Sequence, residues 1–183
     1  MADGSMKYHP VPVDEALFRQ GLSLWASGVA IVTCLEDGQP HGLTISSFTS
    51  VSSSPPRILF CLSKQSRSAR AFTRADEVAV NILPQGRLEV ARDFAGGAAP
   101  GERFTPADWN YADGRPPRLL DALVHLRGQV RNRLDARTHD IFIIDVEHAA
   151  SSPGRPLIYF DRDFQGLAAA PPAVIPVDAA PSH

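Results

Sequence analysis

Cysteine is scarce: Cys34 and Cys61 are the only two in a chain of 183 residues. Each sits inside an apolar run, where cysteine behaves as a small buried hydrophobe, and neither belongs to a cluster with ligand spacing. The chain is therefore expected to hold no disulfide framework and no metal. Charge of one sign is also missing, since 18 basic residues face 20 acidic ones and leave a formal charge of −2. Without a basic footprint, nucleic acid is not an expected partner. No run reaches the ~20 apolar residues of a membrane span, and Met1 to Pro10 lack the apolar core of a signal peptide, so a cytoplasmic protein with no membrane partner is expected. Two sequence fingerprints are absent as well. No Gly-x-Gly-x-x-Gly opens a strand–helix unit, which leaves any nicotinamide to bind by a route other than the Rossmann site. No Gly-x-Ser-x-Gly elbow is present, which disfavours a hydrolase.

What is abundant is hydroxyl, and it is concentrated. Eight of the sixteen residues from His41 to Pro56 are Ser or Thr. Two apolar runs flank this stretch, Val29 to Leu35 and Arg57 to Ser63. Read alone, it is a Ser-rich loop closed by Pro55-Pro56. It is equally a surface for a polar, planar ligand, because each short hydroxyl both donates and accepts a hydrogen bond.

The remainder of the chain reads as one domain with a 44% hydrophobic content, enough for a real core. Asp14 caps a helix from Glu15, with Leu17, Phe18, Gly21, Leu22 and Trp25 on one face and Gly28 at its end. Val29 to Leu35 is a strand, and Asp37-Gly38 reverses the chain into the next. Arg57 to Ser63 is a third strand, entered through the two prolines. Lys64 to Ser68 precedes a helix over 69–75, so two basic side chains and several hydroxyls meet a helix start. That reads as N-capping by Ser66 or Ser68, or as an anion site. Glu77 to Leu83 is a strand and Gln85 to Ala95 a helix. Gly96 to Pro117 is a long irregular connection of the kind that is functional or mobile, placed to cover a ligand. From Ala122 to Arg131 apolar and polar residues alternate at the period of a strand, with Val124, Leu126 and Val130 inward and His125, Arg127 and Arg131 outward. Ile141 to Val146 is apolar on both faces, and Pro156 to Phe160 is a last strand. Six or seven strands without a strand–helix rhythm predict a mainly β, closed or partly closed antiparallel barrel with a few peripheral helices.

The pattern Gly-Leu-Thr-x-Ser-Ser-Phe-x-Ser-Val-Ser-x-x-Pro-Pro at Gly42 to Pro56 resembles the signature of the flavin reductase-like family. Ser27 to Thr33, Val80-Asn81-Ile82-Leu83, Asp93-Phe94-Ala95, Arg103-Phe104 and Thr138-His139-Asp140-Ile141-Phe142 follow in that family's order. The resemblance covers roughly residues 17 to 165. It implies an antiparallel split β-barrel that binds flavin, a flavin reductase-like domain over 14–167. Before it, the N-terminal extension over 1–13 has a second methionine, Met6, just after a Gly-Ser pair and is expected to be partly a cloning remnant; after it, 168–183 is a Pro/Ala-rich tail whose composition cannot build its own core.

By the same resemblance Thr44, Ser46, Ser47 and Phe48 line the isoalloxazine and ribityl part of FMN or FAD. Cys61, Ser63, Ser66 and Arg67 form the phosphate-side turn, and Phe94 joins them. His139 retains the histidine of the family's Gly-Asp-His element beside NADH or NADPH, while Arg137 and Thr138 depart from it. The implied activity is NAD(P)H-dependent flavin reduction in a homodimer that supplies reduced flavin to a monooxygenase. The alternative is a protein of the same fold that keeps its flavin and reduces another acceptor, such as a corrinoid, or only binds it. No catalytic acid or base is required, because the cofactors carry the electronic change and the protein supplies orientation.

Overall fold

The computed structural model describes residues 14–111 and 113–168. The expected N-terminal extension, and the tail beyond residue 168, lie outside the described residues.

Helix α1 (Glu15–Ser23) starts where a carboxylate meets free amides: the Asp14 side chain accepts from Leu17 N at 2.6 Å. It stops at Ser23, with Leu24 N–H closing back on Gly21 and Leu22, and not at Gly28. Gly28 instead belongs to β1 (Ser27–Gly28), so the run Ser27 to Thr33 divides between two sheets. The strands that follow are β2 (Ala30–Glu36), β3 (Gln39–Ile45), β4 (Thr49–Ser53) and β5 (Pro56–Ser63). The β2–β3 reversal uses Asp37 and Gly38 at φ of 51° and 74°, the mirror-image turn that matches strand twist. Helix α2 (Ala69–Arg74) leads to β6 (Glu77–Ile82). A 3-10 turn at Gln85–Arg87, helix α3 (Leu88–Arg92) and a wider π turn at Asp93–Gly97 occupy the predicted helix over 85–95. Then come β7 (Trp109–Asn110), β8 (Arg118–Leu119), the long pair β9 (Val124–Ala136) and β10 (His139–Ser151), β11 (Leu157–Phe160) and β12 (Asp163–Gly166). The described residues are mainly β, and every strand pairing among them is antiparallel.

A seven-stranded sheet in the order β3-β2-β6-β9-β10-β5-β4 carries a core on each face. On one face Val32, Phe60, Phe72, Val78, Val80, Phe142 and Ile144 pack together, with the Phe60 and Phe142 rings stacked at 5.1 Å. On the other, Ile31, Leu83, Phe94, Phe104, Trp109 and Leu119 form a second core. The segment 96–117 packs on the sheet through Phe104 and Trp109, Asn81 pins its end by donating to Pro117 O and accepting from Leu119 N, and its Gly96 and Arg103 line a recess beside Thr44, as the covering role expects. His125 and Arg127 do face away from Leu126 and Val130, as alternation requires, but they face this segment and not open solvent. Ile141 and Ile143 are half-buried, so β10 buries one side only, that of Phe142 and Ile144. Cys34 is fully buried, whereas Cys61 is half-exposed. Among the described residues nothing covers the apolar face of α1, where Phe18 is 55% and Leu22 56% exposed, or Trp25 just beyond its end. Among the described residues no helix is long and apolar enough to cross a membrane.

Candidate flavin and nicotinamide site

β3 ends at Ile45, and the chain returns as β4 only at Thr49. The four residues around this exit carry the hydroxyls of the motif, held by two ties. Thr44 Oγ1 donates to Ala91 O at 2.6 Å, fastening β3 to α3. Ser47 Oγ donates to Cys61 O at 2.9 Å and accepts from Cys61 N at 3.0 Å, so one side chain replaces a missing rung between the exit and β5. Phe48 turns the other way, packs against the first core and lines none of the recesses described next.

Three recesses meet at Thr44. The first, 270 Å³, is lined by Thr44, Ser46, Ser47, Cys61, Ser63 and His139. Apart from His139 its polar side chains are short hydroxyls and a thiol, and burial raises the Cys61 thiol, so the recess offers hydrogen bonds and a slow sulfur nucleophile. The second, 370 Å³, lies between Thr44–Ser46 and the β11–β12 hairpin, with Tyr159 and Phe164 as its aromatic wall and Arg162 at its rim. The third, 230 Å³, is lined by Ser66, Arg67, Ser68, Phe94, Gly96 and Arg103, among others.

The third recess is the electropositive one. Arg67 reaches across to Gly96 O at 3.2 Å, a carbonyl that Gly96 presents from a φ of 121° that side chains disfavour. Arg103 is 8% exposed, donates through Nε and Nη2 to Ala98 O at 3.0 and 2.7 Å, and lies 5.9 Å from the Phe94 ring centre. Burial, and then the charge of Arg67, push the Arg103 guanidinium down from its usual value. Two cations pressed together with few acids nearby favour an anion between them. A second feature agrees: Ser66 Oγ is buried without a hydrogen-bond partner. Ser68 does stand at the N-cap position of α2, but neither serine side chain makes a capping bond, because Ser68 Oγ donates to Gly42 O at 3.1 Å and Ser66 contributes only its backbone to the turn.

His139 sits at the start of β10 on the rim of the first recess. Its Nδ1 lies 3.0 Å from Thr138 Oγ1. The turn that carries it is tied to β5 through Lys64, whose N donates to Thr138 O and whose Nζ lies 2.6 Å from Asp135 and 3.4 Å from Asp140. The structure thus places all the expected site residues except Phe48 around one branched cleft. Arg103, Gln65, Gly96, Tyr159, Arg162 and Phe164 join them unannounced by residue type. Arg103 and the residues of β12 are remote in sequence from the motif, and only the pairing of β11 with β12 and the packing of Phe94 on Phe104 bring them in.

The flavin reductase like domain matches residues 22–168. The reductase component of a 4-nitrophenol 4-monooxygenase/4-nitrocatechol 2-monooxygenase from Rhodococcus opacus is 36% identical over 166 residues, 90% of this chain and 88% of its own. An FMN reductase (NADH) RutF of Methylorubrum extorquens is 36% identical over 162 residues, 88% of this chain and 81% of its own. Among solved structures, the NADH:FAD oxidoreductase SgcE6 of Streptomyces globisporus superposes with a TM-score of 0.78 at 30% identity, covering 90% of this chain and 100% of its own. These matches define a class, proteins that reduce flavin at the expense of a nicotinamide. The chain belongs to the flavin reductase-like family.

Proposed function

We propose that this chain catalyses NADH-dependent reduction of FMN or FAD and supplies the reduced flavin to a monooxygenase. The observation that carries the reading is the third recess: an unpartnered Ser66 hydroxyl beside Arg67 and Arg103, joined at Thr44 to a recess lined by neutral hydroxyls. Such a donor set suits a phosphorylated molecule with a polar, planar body. Its relatives' names point the same way, since they are reductase components and NADH-dependent FMN reductases.

Bound flavin supplies the electron-accepting ring system. The protein's contribution is placement. Thr44, Ser46, Ser47, Cys61 and Ser63 bind and orient the ring from the first recess, Ser66 and Arg67 with Arg103 hold the phosphate, and Phe94 walls that end. His139 positions the nicotinamide at the open rim. Burial raises the Cys61 thiol and so slows it as a nucleophile toward a bound flavin. The sheet edges β3 and β4 are the two ends of one seven-stranded order, and the hydroxyl segment links them directly. That supports a split barrel in which the site occupies the split.

The face of α1 that no described residue covers, with Leu17 47% and Leu22 56% exposed and Trp25 76% just past its end, supports a homodimer in which a second copy covers it. Sedimentation at micromolar concentration should give twice 19.8 kDa. A single-chain mass would remove that assembly. The flavin assignment is tested by Arg67→Ala in steady state with FMN and with riboflavin. Loss of a charge-assisted bond to phosphate, worth about 1.5–3 kcal/mol, should raise the KM for FMN roughly ten- to a hundredfold and leave riboflavin little changed. Equal effects on the two would show that Arg67 does not meet phosphate.

A further inference from the structure

On the far side of the sheet from the first core, a cavity of 280 Å³ lies between β7–β8, the connection before β8 and the facing ends of β9 and β10. It is lined by Asp113, Arg115, Arg118, His125, Arg127 and His148, among others. None of these residues lines the flavin cleft. The two sites also lie at opposite ends of the β9–β10 pair, His125 opposite Ala150 at one end and Ala136 opposite His139 at the other, about 35 Å apart along the strand at ~3.3 Å per residue.

The cavity has more positive charge than its acids satisfy. Glu77 on β6 is engaged by Arg127 and, at 3.2 Å, by Arg115. Asp113 accepts from Arg115 N at 3.2 Å and so closes its own turn. Among the described residues no carboxylate stands within ion-pair distance of Arg118. His125 adds an acceptor. Its Nδ1 lies 3.0 Å from Asn81 Oδ1, an oxygen that also accepts from Leu119 N, while Asn81 Nδ2 donates to Ile31 O and Pro117 O at 3.3 Å each. Two carbonyls and one amide fix which end of Asn81 is oxygen, so Nδ1 of His125 carries the proton and Nε2 of the neutral ring is a free acceptor. Burial first, and then Arg118, Arg127 and His148, hold this histidine down to about 4, so the ring is neutral at pH 7.

We propose that this cavity is a second binding site, for a small acid that presents a negative oxygen to Arg118 and a hydroxyl or acidic proton to His125 Nε2. Hydrogen phosphate and a hydroxycarboxylate share that chemistry. The volume falls just below the ~300 Å³ of drug-sized pockets, which limits the occupant to a small molecule or the acidic end of a larger one.

The test uses the full chain saturated with FMN, so that the Arg67 recess is filled, and follows the His125 ring resonances by NMR as inorganic phosphate or lactate is added against chloride at equal ionic strength. Saturable movement of His125 with phosphate, lactate or both is expected, and whichever moves it names the acid. Arg118→Gln should weaken that binding about tenfold while NADH oxidation without the acid is unchanged, since Arg118 is exposed and outside the flavin cleft. Movement that chloride reproduces, no movement with either acid, or equal binding in Arg118→Gln would each overturn the proposal.

Discussion

The two thiols differ by position alone. Cys34 lies wholly inside the first core, where burial, and then the charge of Glu36, push its thiol up to about 12; Cys61 lines the first recess. A thiolate is the reactive form, so in native protein at pH 7.5 a disulfide reagent should leave Cys34 untouched and label Cys61 only, with flavin slowing that labelling. Two equally fast thiols would contradict the packing of β2. His125 gives a pH dependence with a definite sign. Its folded value near 4 lies below the ordinary 6.5, so between those values the unfolded chain holds a proton that the folded chain does not. Stability is therefore fully present above pH 6.5 and is lost as pH falls towards 4. Thermal melts of parent and His125→Gln between pH 7 and 4.5 should show the shallower decline in the variant, and parallel curves would deny that His125 is held neutral.

At the level of elements, β3 shows how a motif residue can serve packing before chemistry. A Cβ on Gly42 would come within 2.8 Å of the Phe94 ring and 3.1 Å of Phe104, so the strand must lie bare against the aromatic cluster. Gly42→Ala overpacks that contact and should cost about 1–3 kcal/mol, read as a Tm lowered by several degrees, with weaker FMN binding because Phe94 also walls the phosphate recess. An unchanged Tm would mean that the aromatic pair yields freely. These elements were unequally legible in the sequence. The β2–β3 hairpin was written in Asp37-Gly38, and the alternation put Leu126 and Val130 on the core face opposite His125 and Arg127, though Val124 joins neither core. Where tertiary contact decides, local pattern misled. Leu24 and Trp25 extend a helical periodicity past Ser23 that the backbone does not follow. The segment 96–117 is rich in small residues yet is fastened by Phe104, Trp109 and a single buried Asn81. The β12 strand, Asp163–Gly166, has no strand signature of its own and exists because β11 offers it an edge. In the site, the hydroxyls of 44–47 could be read from composition, whereas the pairing of Arg67 with Arg103 required the fold.

Taken whole, the molecule divides its labour across one antiparallel sheet. The first core makes the sheet rigid, and the second fastens 96–123 to its back, so the exit from β3 is held from both sides while its hydroxyls stay open to a ligand. The cleft's described lining is mostly short hydroxyls, which fits the proposed reaction, whose electrons pass between two cofactors and whose protein supplies position. In the proposed reaction flavin comes and goes as a substrate. The direct measurement is NADH oxidation by purified protein at 340 nm, with and without added FMN, FAD or riboflavin, together with the flavin retained after gel filtration. The predicted result is a rate that climbs and saturates with added flavin, on protein that elutes largely free of it. A rate indifferent to every added flavin, on protein that keeps one flavin per chain, would contradict the reductase reading and leave a flavin-holding protein in its place.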